Sequence, residues 1–350
     1  MAYTRISLGR MLLAAALCTA ASCSARQASR ADEAMREQAV VRPAAVAEPL
    51  SPASFLRQEW AYGGNPGSLI STPHYLIHTT VTSDRVRDRL PVLLEHAMHR
   101  YRTIFGNLPA PRDQLVTYVF QDRRQWSAKT REVLPDEAGD LENLGRGGFS
   151  TRGMAILYYI DWRGYDRDTF AIASHEGWHQ FTQSTFRNQL PVWLEEGIAT
   201  LMEGHSFRTD QPAPTFDPAR NSERRYAMRR IVRRDRWIPL DRLLRERPQD
   251  FLGESKDALL DYYGHVWALS LFLLQGEDGK YKPALESLVQ DAAAGRLYRR
   301  LLSHPAVQEA RARDEILSGR SGPWIARVYF GVAPEELEES FRAFARGLTS

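Results

Sequence analysis

Cysteine is almost absent from this 350-residue chain, and its two copies, Cys18 and Cys23, both lie near the amino terminus. The rest of the sequence therefore offers neither a disulfide nor a thiolate ligand for a metal ion. Any metal held by the folded part must be bound by histidine and carboxylate side chains, a ligand set that suits zinc.

A strong excess of charge is also missing, because 46 Lys and Arg stand against 43 Asp and Glu for a formal net charge of +3. Arginine pairs such as Arg224-Arg225, Arg229-Arg230 and Arg233-Arg234 are typical of a nucleic-acid surface when basic residues dominate a domain. Since the acidic residues nearly balance the total, we interpret the pairs as a solvated helix face. The sequence therefore predicts no nucleic-acid partner.

Long hydrophobic runs are absent too. The stretch from Met11 to Ala21 is too short to cross a bilayer as a helix, and it follows Arg5 and Arg10. This pattern predicts an export signal over residues 1–23. The segment Ala20-Ala21-Ser22-Cys23 resembles a bacterial lipobox, although Ala stands where Leu is usual. We expect an exported protein of the periplasm or cell envelope, and a lipid tether at Cys23 is favoured over ordinary cleavage.

The composition of residues 24–54, rich in Ala, Arg, Glu, Pro and Ser, predicts a flexible linker before a folded domain at 55–350. Strand patterns come first in that domain, and a helix capped by Ser83 or Asp84 follows the first strand and ends near Phe105. The predicted strands are His74–Val81, Leu115–Phe120 and a hairpin of Gly148–Thr151 with Met154–Ile160, and a short helix is predicted at Trp126–Val133.

After Asp168, which we interpret as a helix cap, the patterns are helical. The predicted helices are 168–187, 192–204, 221–235, 257–275, 280–302, 305–318 and 333–347, with a loop over 203–221. Strands followed by helices predict an α+β fold rather than a doubly wound sheet.

A metal-binding pattern lies in the first of these helices, where His175, Glu176 and His179 form the sequence H-E-x-x-H. Histidines at i and i+4 project from one helix face, so their imidazoles can converge on one metal ion. Glu176 lies where its carboxylate can reach a water molecule rather than the metal. The next helix carries Glu195 and Glu196, and either can supply a third ligand, because neighbouring helical residues point about 100° apart and only packing decides.

Three strings together resemble the gluzincin metallopeptidases. They are H-E-G-W-H, L-P-V-W-L-E-E-G-I-A-T-L-M-E and L-D-Y-Y-G-H-V-W-A-L-S-L-F-L-L, and the likeness covers about residues 74–275. The chain looks closest to the small bacterial group called peptidase-MA-like or DUF1570, and it is more distantly similar to the M1 aminopeptidases and thermolysin. The resemblance implies a thermolysin-like (zincin) domain: a small mixed sheet, an active-site helix and a helical C-terminal lobe.

The resemblance also implies a role for each matching residue. His175, His179 and Glu196 would be the ligands of a Zn²⁺ ion, and Glu176 would be the general base. Glu203 would orient a ligand imidazole, although an exposed helix-end Glu is an equal reading. Tyr263 would stabilise the oxyanion, with Tyr262 and His265 as alternates.

The resulting expectation is a zinc peptidase that hydrolyses peptides or proteins outside the cytoplasm. The strand Gly148–Thr151 can offer an open edge to an extended peptide. No G-x-M-E-N string is present, which argues against aminopeptidase activity. A non-catalytic scaffold that keeps the fold, and a zinc hydrolase of a non-peptide amide or ester, are the alternatives. Outside the motif, His74 and His78 are expected to face solvent, and His205 is expected in a loop.

Overall fold

The computed structural model describes residues 55–142, 147–160, 166–208, 213–255, 257–307 and 309–350. The predicted export signal at 1–23, with Cys23, and the predicted linker at 24–54 lie outside these ranges. In the described part of the chain, no helix is both long enough and apolar enough to cross a membrane.

A six-stranded mixed sheet forms the first half of the fold. Its strands are β1 (Leu56–Tyr62), β2 (Asn65–Ser71), β3 (Tyr75–Thr79), β4 (Leu115–Phe120), β5 (Gly148–Thr151) and β6 (Met154–Tyr158). Across the sheet the order is β1-β2-β3-β4-β6-β5. Strand β4 pairs in parallel with β3 and with β6, and the other neighbours are antiparallel. The predicted α+β class is therefore confirmed.

Helices connect the strands and make up most of the second half. They are α1 (Asp84–Thr103), α2 (Arg123–Val133), α3 (Ala138–Glu142), α4 (Arg167–Thr185), α5 (Val192–Met202), α6 (Ser222–Arg234), α7 (Leu240–Arg245), α8 (Ala258–Gln275), α9 (Lys282–Ala293), α10 (Leu297–Ser303), α11 (Ala310–Leu317), α12 (Gly322–Ile325) and α13 (Pro334–Thr349). A two-stranded hairpin, β7 (His205–Ser206) with β8 (Thr215–Phe216), lies between α5 and α6.

The strands that the sequence predicted are confirmed to within a few residues, but β1 and β2 were missed. Strand β2 begins Asn65-Pro66-Gly67, three residues with low strand propensity. The turn before it is formed by Gly63 and Gly64, whose φ angles are +54° and +77°. Two consecutive residues with positive φ are characteristic of a tight hairpin turn, and glycine adopts that conformation without steric cost.

Four details of the segments predicted from Asp168 onwards are wrong. The segment 280–302 contains two helices, because Gly295 has a φ of +75° and ends α9 before α10 begins. In the segment 305–318, a 3₁₀ turn at Pro305–Val307 precedes α11. The loop predicted at 203–221 contains the β7–β8 hairpin. The N-cap of α4 is Asp166, and Asp168 lies in the first helical turn.

The expectation for His205 is wrong, and that for His74 and His78 is met only in part, because both are partly exposed and contact neighbouring side chains. His74 is hydrogen-bonded to a buried carboxylate on α1, with its Nδ1 2.7 Å from Glu95 Oε2. The His78 ring lies between two aromatic rings, with its centroid 5.0 Å from that of Trp60 and 4.6 Å from that of Tyr118. His205 belongs to β7 and is buried.

Helix α4 is enclosed by the sheet and by α1 and α5, so its side chains from Thr169 to Thr182 are almost all buried. The Tyr101 hydroxyl of α1 donates to the Ser174 carbonyl, 2.6 Å away. On the sheet side, Gln180 Nε2 donates to the carbonyls of Val116 and Gly153. These hydrogen bonds fix the position of the helix that carries the H-E-x-x-H motif relative to the sheet.

Candidate metal centre

The two motif histidines are each held by a carboxylate at one ring nitrogen. His175 Nδ1 lies 2.9 Å from Glu203 Oε1, and His179 Nδ1 lies 2.9 Å from Glu195 Oε1. An ionised carboxylate can only accept, so in both rings Nδ1 carries the proton. This arrangement fixes the tautomer that leaves the Nε2 lone pair free for a metal ion.

The other nitrogen of each ring faces one oxygen of a third carboxylate, and these three atoms have no such partner. His175 Nε2, His179 Nε2 and Glu196 Oε2 are all buried, and none forms a hydrogen bond within the described residues. Glu196 Oε2 lies 3.4 Å from His175 Nε2 and 3.8 Å from His179 Nε2. Ligands at zinc distances in a tetrahedral site are about 3.3 Å apart. The three side chains therefore form a buried group that could hold a metal ion.

The packing of α5 decides which of the two adjacent glutamates reaches this point. Glu196 is buried against α4, whereas Glu195 turns to the outer side of His179 and also accepts a hydrogen bond from Thr182 Oγ1 at 2.6 Å. Gly197 lets α5 approach α8, because a Cβ at this position would lie 2.0 Å from Ser270 Oγ and 2.8 Å from the Val266 carbonyl oxygen. The structure thus places Glu196 between the imidazoles and gives Glu195 a different position.

The charge of the cluster favours a bound cation. Burial lowers the pKa of His175, but Glu196 and Glu203 outweigh it and raise the pKa to about 10. The pKa of His179 is also raised, because Glu196 and Glu195 outweigh the effect of burial. The acidic groups around the two rings therefore attract protons when no metal is bound, and a metal ion must displace them.

Glu203 belongs to a buried network that reaches away from the histidines. Arg224 donates to both of its carboxylate oxygens, through Nη2 at 2.8 Å and Nε at 3.2 Å, and Asn221 Nδ2 donates at 2.6 Å. Burial raises the pKa of Glu203, but Arg224 and His175 outweigh it and lower the pKa to about 2. Of the two readings of Glu203, the exposed helix-end residue is wrong, because only 6% of its surface is exposed.

Glu176 lies on the same helix but is held apart from the three convergent atoms. Its Oε2 accepts a hydrogen bond of 2.7 Å from Ser150 Oγ, which belongs to β5. Burial raises the pKa of Glu176 above its usual range, and the nearby imidazoles oppose the shift. A raised pKa suits a carboxylate that takes up and gives back a proton near neutral pH.

The structure separates the three aromatic candidates on α8. His265 uses both ring nitrogens, since Nδ1 lies 2.7 Å from the Asp261 carbonyl and Nε2 accepts from Ile238 N at 3.1 Å. The hydroxyls of Tyr262 and Tyr263 are buried without a hydrogen-bond partner in the described part of the chain. The Tyr263 ring centroid is 6.4 Å from that of His175. Burial raises the pKa of Tyr263 and Glu196 adds to it, with a smaller contribution from Glu176, so its hydroxyl stays protonated.

Sequence reasoning missed Ser150 and Arg224 as parts of this site. Arg224 was interpreted as part of a solvated helix face, and that is wrong for this residue, which is only 1% exposed. Ser150 follows no recognisable motif. Neither role has a signal in the sequence, because each depends on a contact between segments that are 21 or more residues apart.

Comparison with known proteins gave no match, either to a protein-family model or to a curated protein. The chemistry of the site is therefore argued from its own geometry.

Proposed function

We propose that the protein is a zinc-dependent peptidase of the gluzincin type, with His175, His179 and Glu196 as the metal ligands. The observation that carries the proposal is the group of three buried, unpartnered ligand atoms described above. Leaving such atoms unpaired costs free energy in a protein interior, and a metal ion offsets that cost. The proposed fold is a thermolysin-like domain over residues 55–350.

Zinc fits this donor set better than calcium or magnesium does. Two imidazole nitrogens and one carboxylate oxygen are the ligands of many catalytic zinc sites, which keep a fourth position open. Calcium and magnesium prefer six or more oxygen ligands, and these three side chains do not supply them. Bound zinc would supply a Lewis acid that acidifies water and polarises a carbonyl oxygen.

Glu176 is the proposed general base. With one oxygen anchored to Ser150, the carboxylate is held in one orientation and takes a proton from the attacking water. It then delivers the proton to the leaving amine, which balances the reaction. Tyr263 is the proposed second oxyanion donor, because its buried hydroxyl is protonated and is not engaged by another described residue.

The edge of β5 opposite β6 is the proposed binding surface for the substrate backbone, and the four residues of β5 are buried in this structure. Strand β5 ends the sheet and pairs with β6 alone among the described strands. An extended peptide can add to such an edge through main-chain hydrogen bonds. Ser150 lies on this strand and contacts Glu176, so a peptide bound there passes next to the proposed base.

The cellular setting is part of the same proposal. An export signal at residues 1–23, with lipidation at Cys23, would bring the enzyme to the periplasm or cell envelope, where peptides or proteins are its substrates.

The variant Glu176→Gln tests the proposal. We expect purified wild-type protein to contain about one zinc ion per chain and to cleave peptides from a substrate library. The variant should retain the metal and lose at least about 10²-fold in turnover, because general base catalysis contributes that much. The exposed change Glu309→Gln is a matched control and should keep full activity.

Two results would overturn the proposal. Metal-free protein that binds no zinc when it is added would indicate a scaffold without a metal. Zinc-bound protein that cleaves small esters or amides but no peptide of the library would indicate a non-peptide hydrolase.

A further inference from the structure

An arginine-rich cavity lies beside the metal centre and takes no part in the proposed chemistry. Its volume is about 510 Å³, which falls in the range typical of small-molecule sites. It is formed by the first turns of α1, α4 and α6 and by the β7–β8 hairpin. Five arginines line it, namely Arg85, Arg89, Arg167, Arg220 and Arg225, together with only two acidic residues, Asp166 and Asp217.

Most of these guanidinium groups are not neutralised by a carboxylate of the described chain. Arg85 forms an ion pair with Asp166, at 2.9 Å from Nε to Oδ2. Arg167 donates to Ser222 Oγ and Arg220 donates to Ser206 Oγ, which are neutral partners. Arg225 donates to the carbonyl oxygens of Ala219 and Leu348. The hydrogen bonds of these three arginines orient the guanidinium groups without cancelling their charge.

Arg89 is held by a different contact. Its guanidinium carbon lies 5.0 Å above the ring centroid of Phe207. No ion pair of Arg89 occurs within the described ranges of the chain. Besides the Arg85–Asp166 pair, the cavity holds four arginines and one carboxylate, Asp217, so positive charge is in excess. An anionic ligand would reduce the repulsion between these arginines.

A buried histidine supports the same reading. His205 lines the cavity and is only 5% exposed, and its Nδ1 has no hydrogen-bond partner in the described part of the chain. Burial, followed by the charge of Arg167, lowers the pKa of His205 to about 4, so the ring is neutral at pH 7. The neutral imidazole therefore lines the cavity without adding to the repulsion between the arginines.

The walls of the cavity are not wholly polar. Phe170 and Phe207 line it and pack against each other, with ring centroids 5.5 Å apart. A bare inorganic ion would leave these apolar groups unused, whereas an organic body attached to an anionic group would contact them.

We infer that this cavity binds a phosphorylated small molecule, with the phosphate among the arginines and the organic part against Phe207. Arginine suits the phosphate because its planar group offers paired N–H donors to the oxygens. The inference is independent of the proposed peptidase activity, since none of the cavity arginines touches a proposed metal ligand. One physical connection exists through Asn221, which lines the cavity and donates to Glu203.

The inference is tested by calorimetric titration of the full-length protein with inorganic phosphate and with phenyl phosphate at constant ionic strength. We expect saturable binding of one ligand per chain, with phenyl phosphate the tighter of the two. The double variant Arg89→Gln/Arg220→Gln should weaken the binding at least tenfold. The matched control is Arg233→Gln/Arg234→Gln, which removes the same charge from two exposed positions of α6 and should leave the binding unchanged.

Thermal unfolding gives a second readout that is independent of calorimetry. Without phosphate, the Arg89→Gln/Arg220→Gln protein should melt close to wild type, because the relief of repulsion offsets the lost contacts with Phe207 and Ser206. With phenyl phosphate, wild type and control should gain in Tm and the double variant should not.

Three outcomes would overturn the inference. They are the absence of saturable binding in wild type, an equal loss of binding in the matched control, and binding that disappears when a chelator removes the metal. The last result would assign the anion to the metal centre, so a failure of this inference is distinguishable from a failure of the proposed function.

Discussion

The two carboxylates that hold the motif histidines should differ sharply in what their removal costs. Glu203 is surrounded by three donors, of which Arg224 is a buried cation. Glu195 holds His179 with the help of Thr182 alone and is 15% exposed at its side chain. A comparison of Glu203→Gln with Glu195→Gln therefore separates the effect of such a carboxylate on metal binding from its effect on the stability of the fold.

Both variants should weaken metal binding. Replacing a carboxylate that orients a ligand imidazole costs about 10- to 100-fold in metal affinity, because the ring loses its fixed tautomer and orientation. The affinity is measured by competition with a chromophoric zinc chelator.

Only Glu203→Gln should destabilise the metal-free protein strongly. It leaves the buried Arg224 guanidinium without its hydrogen-bonded countercharge, and breaking a buried pair in this way costs about 3–5 kcal/mol. For a domain of this size the expected fall in Tm is on the order of 10 °C. Glu195→Gln should cost about 1 kcal/mol, since it weakens two hydrogen bonds by replacing a charged acceptor with a neutral one at a partly exposed group.

Melting curves in the presence of a chelator check this difference, with the exposed variant Glu309→Gln as a baseline. Equal Tm values for the two metal-free variants would refute the reasoning about the Arg224 pair. An unchanged zinc affinity in Glu195→Gln would refute the inference that His179 is a metal ligand oriented by a hydrogen bond to the Glu195 carboxylate.

Four further predictions concern the pH dependence of zinc binding, the pH dependence of stability, two tyrosine hydroxyls and one glycine. Zinc must displace the proton of His175, because the pKa of this residue is about 10 in the metal-free protein. Zinc affinity should therefore rise about tenfold per pH unit between pH 6 and 8. A flat pH profile in a chelator competition would contradict this prediction. The same raised pKa stabilises the metal-free fold fully below pH 6.5, which is the pKa of His175 in the unfolded chain. This stabilisation should be lost as the pH rises towards 10, and measurements of Tm in the presence of a chelator would show the loss. Tyr263→Phe should lower kcat by about 10²-fold without loss of zinc, whereas Tyr262→Phe should leave kcat within a few-fold; a reversed order would move the oxyanion role to Tyr262. Gly197→Ala should destabilise the protein by about 1–3 kcal/mol and weaken zinc binding, because its Cβ would meet Ser270 and Val266. The control Gly347→Ala in α13 has open space around its Cβ and should not destabilise the protein. Equal free energies of unfolding for the two variants would argue against a close contact between α5 and α8.

The local patterns of the sequence predicted much of the secondary structure. Strand β4 begins and ends as predicted, and α1 begins after its predicted cap, Ser83, whose side chain accepts from Val86 N. These signals are short-range, since alternation and capping depend on residues within one strand or one turn. Strands β1 and β2 escaped prediction because their pairing with each other and with β3 stabilises residues of low strand propensity.

The sequence by itself determined the chemistry that this chain can offer. With cysteine confined to positions 18 and 23, a metal must be held by imidazole and carboxylate, and helical periodicity alone places His175 and His179 on one face. The tertiary structure decided the rest. It selected Glu196 over Glu195, turned Arg224 inward to Glu203, and gathered unpaired arginines from three helices around one cavity. Those choices depend on how distant segments pack against each other, and helical periodicity carries no information about the neighbour that a face will meet.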